Sequence, residues 1–258
     1  MTDINRLLEI MARLRDPEGG CPWDRAQTYR TIVPHTLEEA YEVADTIERE
    51  DFAELCDELG DLLFQIVFYS QLAKEESRFD FNDVVNAISD KLVRRHPHVF
   101  ADAHFEDEQA QTRHWEELKQ QERETRSAAS SQLDGIARSL PALSLARKIQ
   151  SRAAQVGFDW PDEQGVFEKL AEEIKELKDA WDNEQARTEE MGDILFTCVN
   201  LCRHASVDPE QALRQANSKF EQRFRDMESS ALNASSRLES LSPERLEELW
   251  QQSKQIEK

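Results

Sequence analysis

Apolar residues recur along this chain at helical spacing almost from end to end. Ile4, Leu7, Leu8, Met11 and Leu14 form one stripe, which Asp16-Pro17 and Gly19-Gly20 terminate. After Pro34, the Thr36-Leu-Glu-Glu39 segment has the pattern of a capping box and predicts a helix start, running to about Arg49. Asp51 is placed to cap the next helix, whose stretch from Leu59 to Leu72 is unusually apolar. Phe81-Asn82 opens a further helix closed by His96-Pro97, and Trp115 sits on a charged amphipathic segment ending near Arg126. The second half predicts helices near 141–156, 164–184, 187–205, 208–229 and 243–256. No segment alternates with period two between turn signals, so the expected class is all-α.

The pattern breaks once. Ser127 to Ser131 is small and polar, and periodicity resumes at Pro141, which places a linker at 126–140 between domains at 1–125 and 141–258. The two halves repeat one order of residues. The first has Glu38-Glu39-Ala-Tyr-Glu42, then Glu58-Leu-Gly-Asp61, then Lys91 and Arg95. The second has Glu172-Glu173-Ile-Lys-Glu176, then Glu190-Met-Gly-Asp193, then Lys219 and Arg223. Trp23 and Trp160 precede the two sets, and Trp115 and Trp250 follow them. A repeat this long implies two copies of one helical unit.

Composition narrows the function. The 258 residues include 53 acidic and 32 Lys or Arg side chains, a net charge of −21 with histidine neutral. Such a surface repels nucleic-acid polymers and anionic membranes. Only seven glycines occur, under half the roughly 7% average share, which disfavours folds that cradle phosphate in glycine-rich loops. No GxxxxGK[ST] motif is present. Cys21, Cys56, Cys198 and Cys202 are too few for a disulfide framework. Cys198 and Cys202, one helical turn apart, read as buried thiols. The N-terminal residues lack a secretory hydrophobic region and no run is long and apolar enough to span a bilayer, so a cytoplasmic protein is expected.

Within the acidic excess, spacing selects a constellation. Residues three apart share a helix face, so Glu39 pairs with Glu42, Glu58 with Asp61, Glu173 with Glu176, and Glu190 with Asp193. Antiparallel neighbours would bring the pairs of each half face to face, where four carboxylates repel unless a cation lies among them. Solvated, salt-bridged glutamates are the alternative, and Glu39 alone could serve a cap; the doubled order favours the metal site. Hard oxygen ligands without nearby thiols or histidines favour Mg²⁺ or Mn²⁺. Lys91 with Arg95, and Lys219 with Arg223, then suggest an anionic ligand bridged to metal, although helix solvation would equally explain either pair alone. A di-iron carboxylate protein would need ExxH, and none of the six histidines has Glu three residues before it. His96 and His98 around Pro97 read as a helix stop rather than a metal pair.

These motifs, together with Arg13-Leu-Arg-Asp-Pro-Glu-Gly-Gly-Cys-Pro-Trp-Asp24, Arg94-Arg-His-Pro-His-Val-Phe100 and Gly157-Phe-Asp-Trp160, resemble the MazG nucleoside triphosphate pyrophosphohydrolases over nearly the whole chain. The resemblance implies an all-α homodimer built of two tandem four-helix-type MazG-like domains joined by a linker. It implies Mg²⁺-dependent hydrolysis of NTPs and dNTPs, ATP among them, to monophosphate and pyrophosphate, in cleansing or adjusting nucleotide pools. It makes Glu173, Glu176, Glu190 and Asp193 metal ligands and Glu172 a supporting acid that orients or activates water. It puts Lys169, Glu172, Glu173, Glu189, Asp193, Lys219, Arg223 and Trp250 at the nucleotide, where the Trp250 indole would stack on a base or else serve as a core residue. The C-terminal half is implied as the active one, yet Glu39, Glu42, Glu58, Asp61, Lys91 and Arg95 are all intact and form a second candidate site. A non-catalytic acidic helical scaffold, binding partners through its Glu/Gln/Arg-rich helices, is the rival reading.

Overall fold

The computed structural model describes residues 4–256, except 102, 108–109, 112–113, 116–117, 119–121 and 123–130. The expected helix end near Arg126 and the start of the expected linker therefore lie outside the described residues. The chain divides into two compact units, residues 1–119 and 120–258. Among the described residues every regular element is helical.

In the first unit α1 spans Ile4–Leu14, α2 Pro22–Ala26, α3 Tyr29–Glu48, α4 Leu55–Glu75, α5 Phe81–Arg95 and α6 Pro97–Phe100. The alternation of apolar and polar turns buries one side of α1 and α4 together: Met11, Ile32, Val67, Phe68 and Leu72 are buried, with Leu7, Leu8, Tyr29, Phe64, Tyr69 and Phe81 packed around them. Polar ties fix this core at its edge. Arg15 donates to Glu75 through two bonds of 2.9 and 2.7 Å, also donates to the Asp24 carbonyl, and lies 5.4 Å from the centre of the Phe68 ring. Gly20 is needed there, because a Cβ would stand 2.4 Å from the Leu14 carbonyl oxygen.

In this first unit two helix starts differ from the sequence expectation. α3 begins seven residues before Thr36, at Tyr29, where Thr28 and Thr31 cap each other reciprocally. Pro34 falls inside the helix, which forgoes one ladder bond and continues. Thr36 instead donates back to the Ile32 carbonyl or shares its hydroxyl with Tyr69, 2.9 Å away. Asp51 caps a turn ahead of α4 by accepting from the Glu54 amide at 3.2 Å, and α4 itself starts at Leu55. The helix from Phe81 to the His96-Pro97 stop is as expected, with Asp80 and Asp83 forming its capping box.

The second unit contains α7 (Ala142–Ala154), α8 (Glu163–Asp179), α9 (Glu184–His204), α10 (Pro209–Asn233), a 3₁₀ turn (Leu238–Ser240) and α11 (Pro243–Ile256). The Gln150 amide donates to the Phe196 carbonyl at 2.8 Å, joining α7 to α9. Val166 and Val199 are buried, and Met227, Ala231 and Leu249 join α10 to α11. Trp160 lies over the start of α8; a Cβ on Gly165 would approach its ring to 2.3 Å, so only glycine fits beneath it. Asp159 binds the Arg203 guanidinium and lies 3.3 Å from His204, which ties the motif before α8 to the end of α9.

Several apolar stripes stay on the surface of each unit: Leu59, Leu63 and Ile66 on α4, Ile88 and Leu92 on α5, Met191 and Leu195 on α9, and Phe220 and Phe224 on α10. No described helix is long and apolar enough to cross a membrane. Because Phe68 is fully buried at the meeting of α1, α3 and α4, Phe68→Ala is expected to cost the first unit about 3–5 kcal/mol. Urea unfolding checks this; a loss below about 1 kcal/mol would show that the cluster is not the unit's core.

Candidate functional site

Each unit turns one helix back on the next through a short connection, α3 into α4 and α8 into α9. Glu50, with φ of 56°, makes the first turn, and Arg49 braces it through Asp45 at 2.7 Å and Glu54 at 2.8 Å. In the second unit Asn183 ends the connection and caps α9 by accepting from the Gln185 and Ala186 amides at 3.1 and 3.2 Å. Glu39 and Asp61 are equally far along the chain from Glu50, as are Glu42 and Glu58. Glu173 and Asp193, and likewise Glu176 and Glu190, are equally far from Asn183. Antiparallel pairing about those turns therefore sets the carboxylates of the two helices opposite one another in both units.

The resulting geometry is the same twice. Oxygen atoms of Glu39, Glu58 and Asp61 lie within 4.8 Å of one another, and so do those of Glu173, Glu190 and Asp193. The fourth expected ligand of each set, Glu42 or Glu176, does not reach all three partners within that distance, yet both act on the cluster electrostatically. Burial, followed by the charges of Glu176, Glu173 and Asp193, raises the Glu190 carboxyl above its ordinary value. Glu58 is raised by burial and then by Glu42 and Glu54, and Glu39 by burial, Asp61 and Glu42. A divalent cation would relieve the part of these shifts that comes from like-charged neighbours. In the first unit the buried Gln65 donates to Glu39 at 3.3 Å, while its amide oxygen has no hydrogen-bond partner among the described residues. This hard-oxygen donor set, without thiol or imidazole in either triad, fits Mg²⁺ or Mn²⁺.

The other expected site residues divide by place. Lys169 is one turn from the second triad, its ammonium 2.8 Å from Glu173 and 3.0 Å from Glu172. Glu189 is exposed on α9 and accepts from Gln185 at 3.4 Å. Lys219 is exposed on α10, while Arg223 lies over the Trp250 ring at 5.7 Å. Trp250 is half-buried, 5.3 Å from Phe220 and beside Lys254. Thus α10 and α11 present an aromatic and basic cluster of their own. Lys91 and Arg95 occupy α5 of the first unit. Periodicity alone gave no sign of Gln65, because a glutamine in an apolar helix carries no motif.

Comparison with known proteins follows the same division. A family model described as a MazG nucleotide pyrophosphohydrolase domain matches residues 27–100 and 162–227, one segment around each triad. The chain is similar to the nucleoside triphosphate pyrophosphohydrolase of Escherichia coli K12, 54% identical over 100% of this chain and 99% of that protein. It is 45% identical to the nucleoside triphosphate pyrophosphohydrolase/pyrophosphatase MazG of Thermotoga maritima, over 97% of this chain and 95% of that protein. Similarity to the nucleoside triphosphate pyrophosphohydrolase of Mycolicibacterium smegmatis is 34%, over 59% of this chain and 47% of that protein.

The raised Glu190 carboxyl sets a sign for stability. The folded protein binds that proton more tightly than the unfolded chain, so the charged form costs stability above its raised pKa. The cost is relieved as pH falls toward the ordinary value of 4.5. Glu190→Gln is therefore expected to raise the melting temperature of metal-free protein at about pH 7.5, with a gain that shrinks by about pH 5. A variant less stable than the parent at the higher pH would contradict the crowding of these carboxylates.

Proposed function

The chain belongs to the MazG family of nucleotide pyrophosphohydrolases, and from that premise we propose that it hydrolyses nucleoside triphosphates, NTPs and dNTPs alike, to monophosphate and pyrophosphate. Membership of an enzyme family sets aside the non-catalytic scaffold. The observation that carries the reading is the pair of equivalent carboxylate triads, each on an antiparallel helix hairpin. Glu173, Glu176, Glu190 and Asp193 would hold Mg²⁺, with Mn²⁺ as a substitute. When bound, the ion would polarise the phosphate oxygens and lower the pKa of water.

The remaining work falls to side chains on helices. Glu172, exposed next to buried Glu173, orients the attacking water toward the α-phosphorus and accepts its proton. The Pα–O bond to the β-phosphate breaks, and pyrophosphate leaves with the electron pair. Lys169 and Glu189 line the approach at α8 and α9, and Lys169 offsets phosphate charge with its ammonium. Lys219, Arg223 and Trp250 form the nucleotide's outer contacts. Stacking on the Trp250 indole tolerates many bases, because every base has a π-face.

The domains are assigned as 1–125 and 141–258 with a linker at 126–140, the second being the main catalytic one. The first unit keeps Glu39, Glu42, Glu58 and Asp61 as a second metal site. Exposed apolar stripes on α4, α5, α9 and α10 support a homodimer, in which a second copy would cover them. We place the protein in the cytoplasm, with a role in cleansing or adjusting nucleotide pools.

Pyrophosphate release from a panel of NTPs and dNTPs, with and without Mg²⁺, tests this reading. Asp193→Asn is expected to lower turnover at least about 100-fold, a loss of the size seen when a transition-state electrostatic contact is removed, and Asp61→Asn is expected to lower it far less. Equal losses would defeat a catalytic second unit acting alone, and no turnover of any triphosphate with metal present would defeat the activity.

A further inference from the structure

The two triads share a geometry but differ in what already neutralises them. In the second unit Glu173 is buried, its side chain 6% exposed, and the Lys169 ammonium sits on its carboxylate at 2.8 Å while also reaching Glu172. A nearly desolvated carboxylate cannot stand unpaired, so Lys169 occupies the place of a cation at this triad. In the first unit the position equivalent to Lys169, counted back from the Glu-Glu pair, is His35. Its ring stands 3.6 Å from Glu38, the equivalent of Glu172, and packs edge-on against Trp23 at 5.9 Å. Glu39, the equivalent of Glu173, instead accepts from the neutral amide of Gln65. Thr197 stands at the Gln65 position in the second unit.

From this asymmetry we infer that Lys169 is a resident counter-ion that couples metal loading to nucleotide binding in the second unit, while the first unit takes metal without such coupling. The inference rests on the metal-site reading above. A divalent ion entering among Glu173, Glu190 and Asp193 meets the ammonium on one of its own ligands. Two cations on one carboxylate repel, so the entering ion must first displace the ammonium from Glu173. The phosphates of a nucleotide change this balance, because they offer the ammonium another anion on the same face of α8. Lys169 then passes from carboxylate to phosphate as the metal enters, so each ligand favours the other by the same factor. In the first unit a neutral amide on Glu39 opposes no cation, and metal affinity there depends little on nucleotide. Lys169 is thus poised between two anions.

The test is Mn²⁺ binding to full-length protein, followed by electron paramagnetic resonance of the free ion, with and without α,β-methylene ATP, which cannot be cleaved at the scissile bridge and whose own Mn²⁺ binding is subtracted from a protein-free titration. Asp61→Asn isolates the second site and Asp193→Asn the first. The second site is expected to bind Mn²⁺ weakly alone and on the order of 10-fold or more tighter with the analogue, within the usual 5–150-fold range of coupling. The first site is expected to change less than about 3-fold. Adding Lys169→Gln should strengthen analogue-free binding at the second site and collapse the coupling, whereas Lys169→Arg should retain it. Equal affinities at both sites, unaffected by the analogue or by Lys169→Gln, would overturn the counter-ion role while leaving the metal sites standing. Mn²⁺ binding untouched by either Asp→Asn change would instead overturn the metal-site reading itself.

Discussion

Carboxylates held within 4.8 Å of one another on the facing sides of two packed helices impose a charge problem that apolar packing cannot solve. Burial of the opposite helix faces fixes the backbones, and the short turns fix the pairing, so the acids cannot separate to relieve their repulsion. The Glu39, Glu58 and Glu190 carboxyls are raised first by burial and then by these acidic neighbours. A proton, a lysine or a divalent cation can each discharge that repulsion. Much of what this chain does follows from which of the three is present.

Catalysis by such a site needs no phosphate-cradling loop. In the proposed site, metal and basic side chains on rigid helices would supply the positive charge that backbone amides supply elsewhere. The scarcity of glycine is then a consequence of the architecture, and where glycine is required, as at Gly20 and Gly165, the reason is a close approach between elements. The net charge of −21 is compatible with an anionic substrate because a bound divalent ion reverses the local sign.

Much of this was legible in the sequence because helical periodicity and the doubled carboxylate spacing are both local patterns. The end of α5 follows from its His96-Pro97 stop. The start of α3 did not, because two patterns competed: Thr36 to Glu39 has the form of a capping box, but Thr28 and Thr31 make the actual one and the core needs Tyr29 and Ile32 on the same helix. Convergence of Glu39, Glu58 and Asp61 without Glu42 within the same reach depends on how two helices pair across a turn, which is not written in either segment alone. The contrast between Lys169 and His35 was visible as letters, but its meaning required the ion pair to buried Glu173. Trp250 was open between base stacking and packing, and its place beside Phe220 and Arg223 suits both.

The claim that cation binding resolves the crowding is tested most directly by anomalous scattering from crystals grown with Mn²⁺ and α,β-methylene ATP. The account predicts peaks within about 2–2.3 Å of carboxylate oxygens, one among Glu173, Glu190 and Asp193 and one among Glu39, Glu58 and Asp61. Peaks confined to other carboxylates, with Lys169 still seated on Glu173, would contradict it.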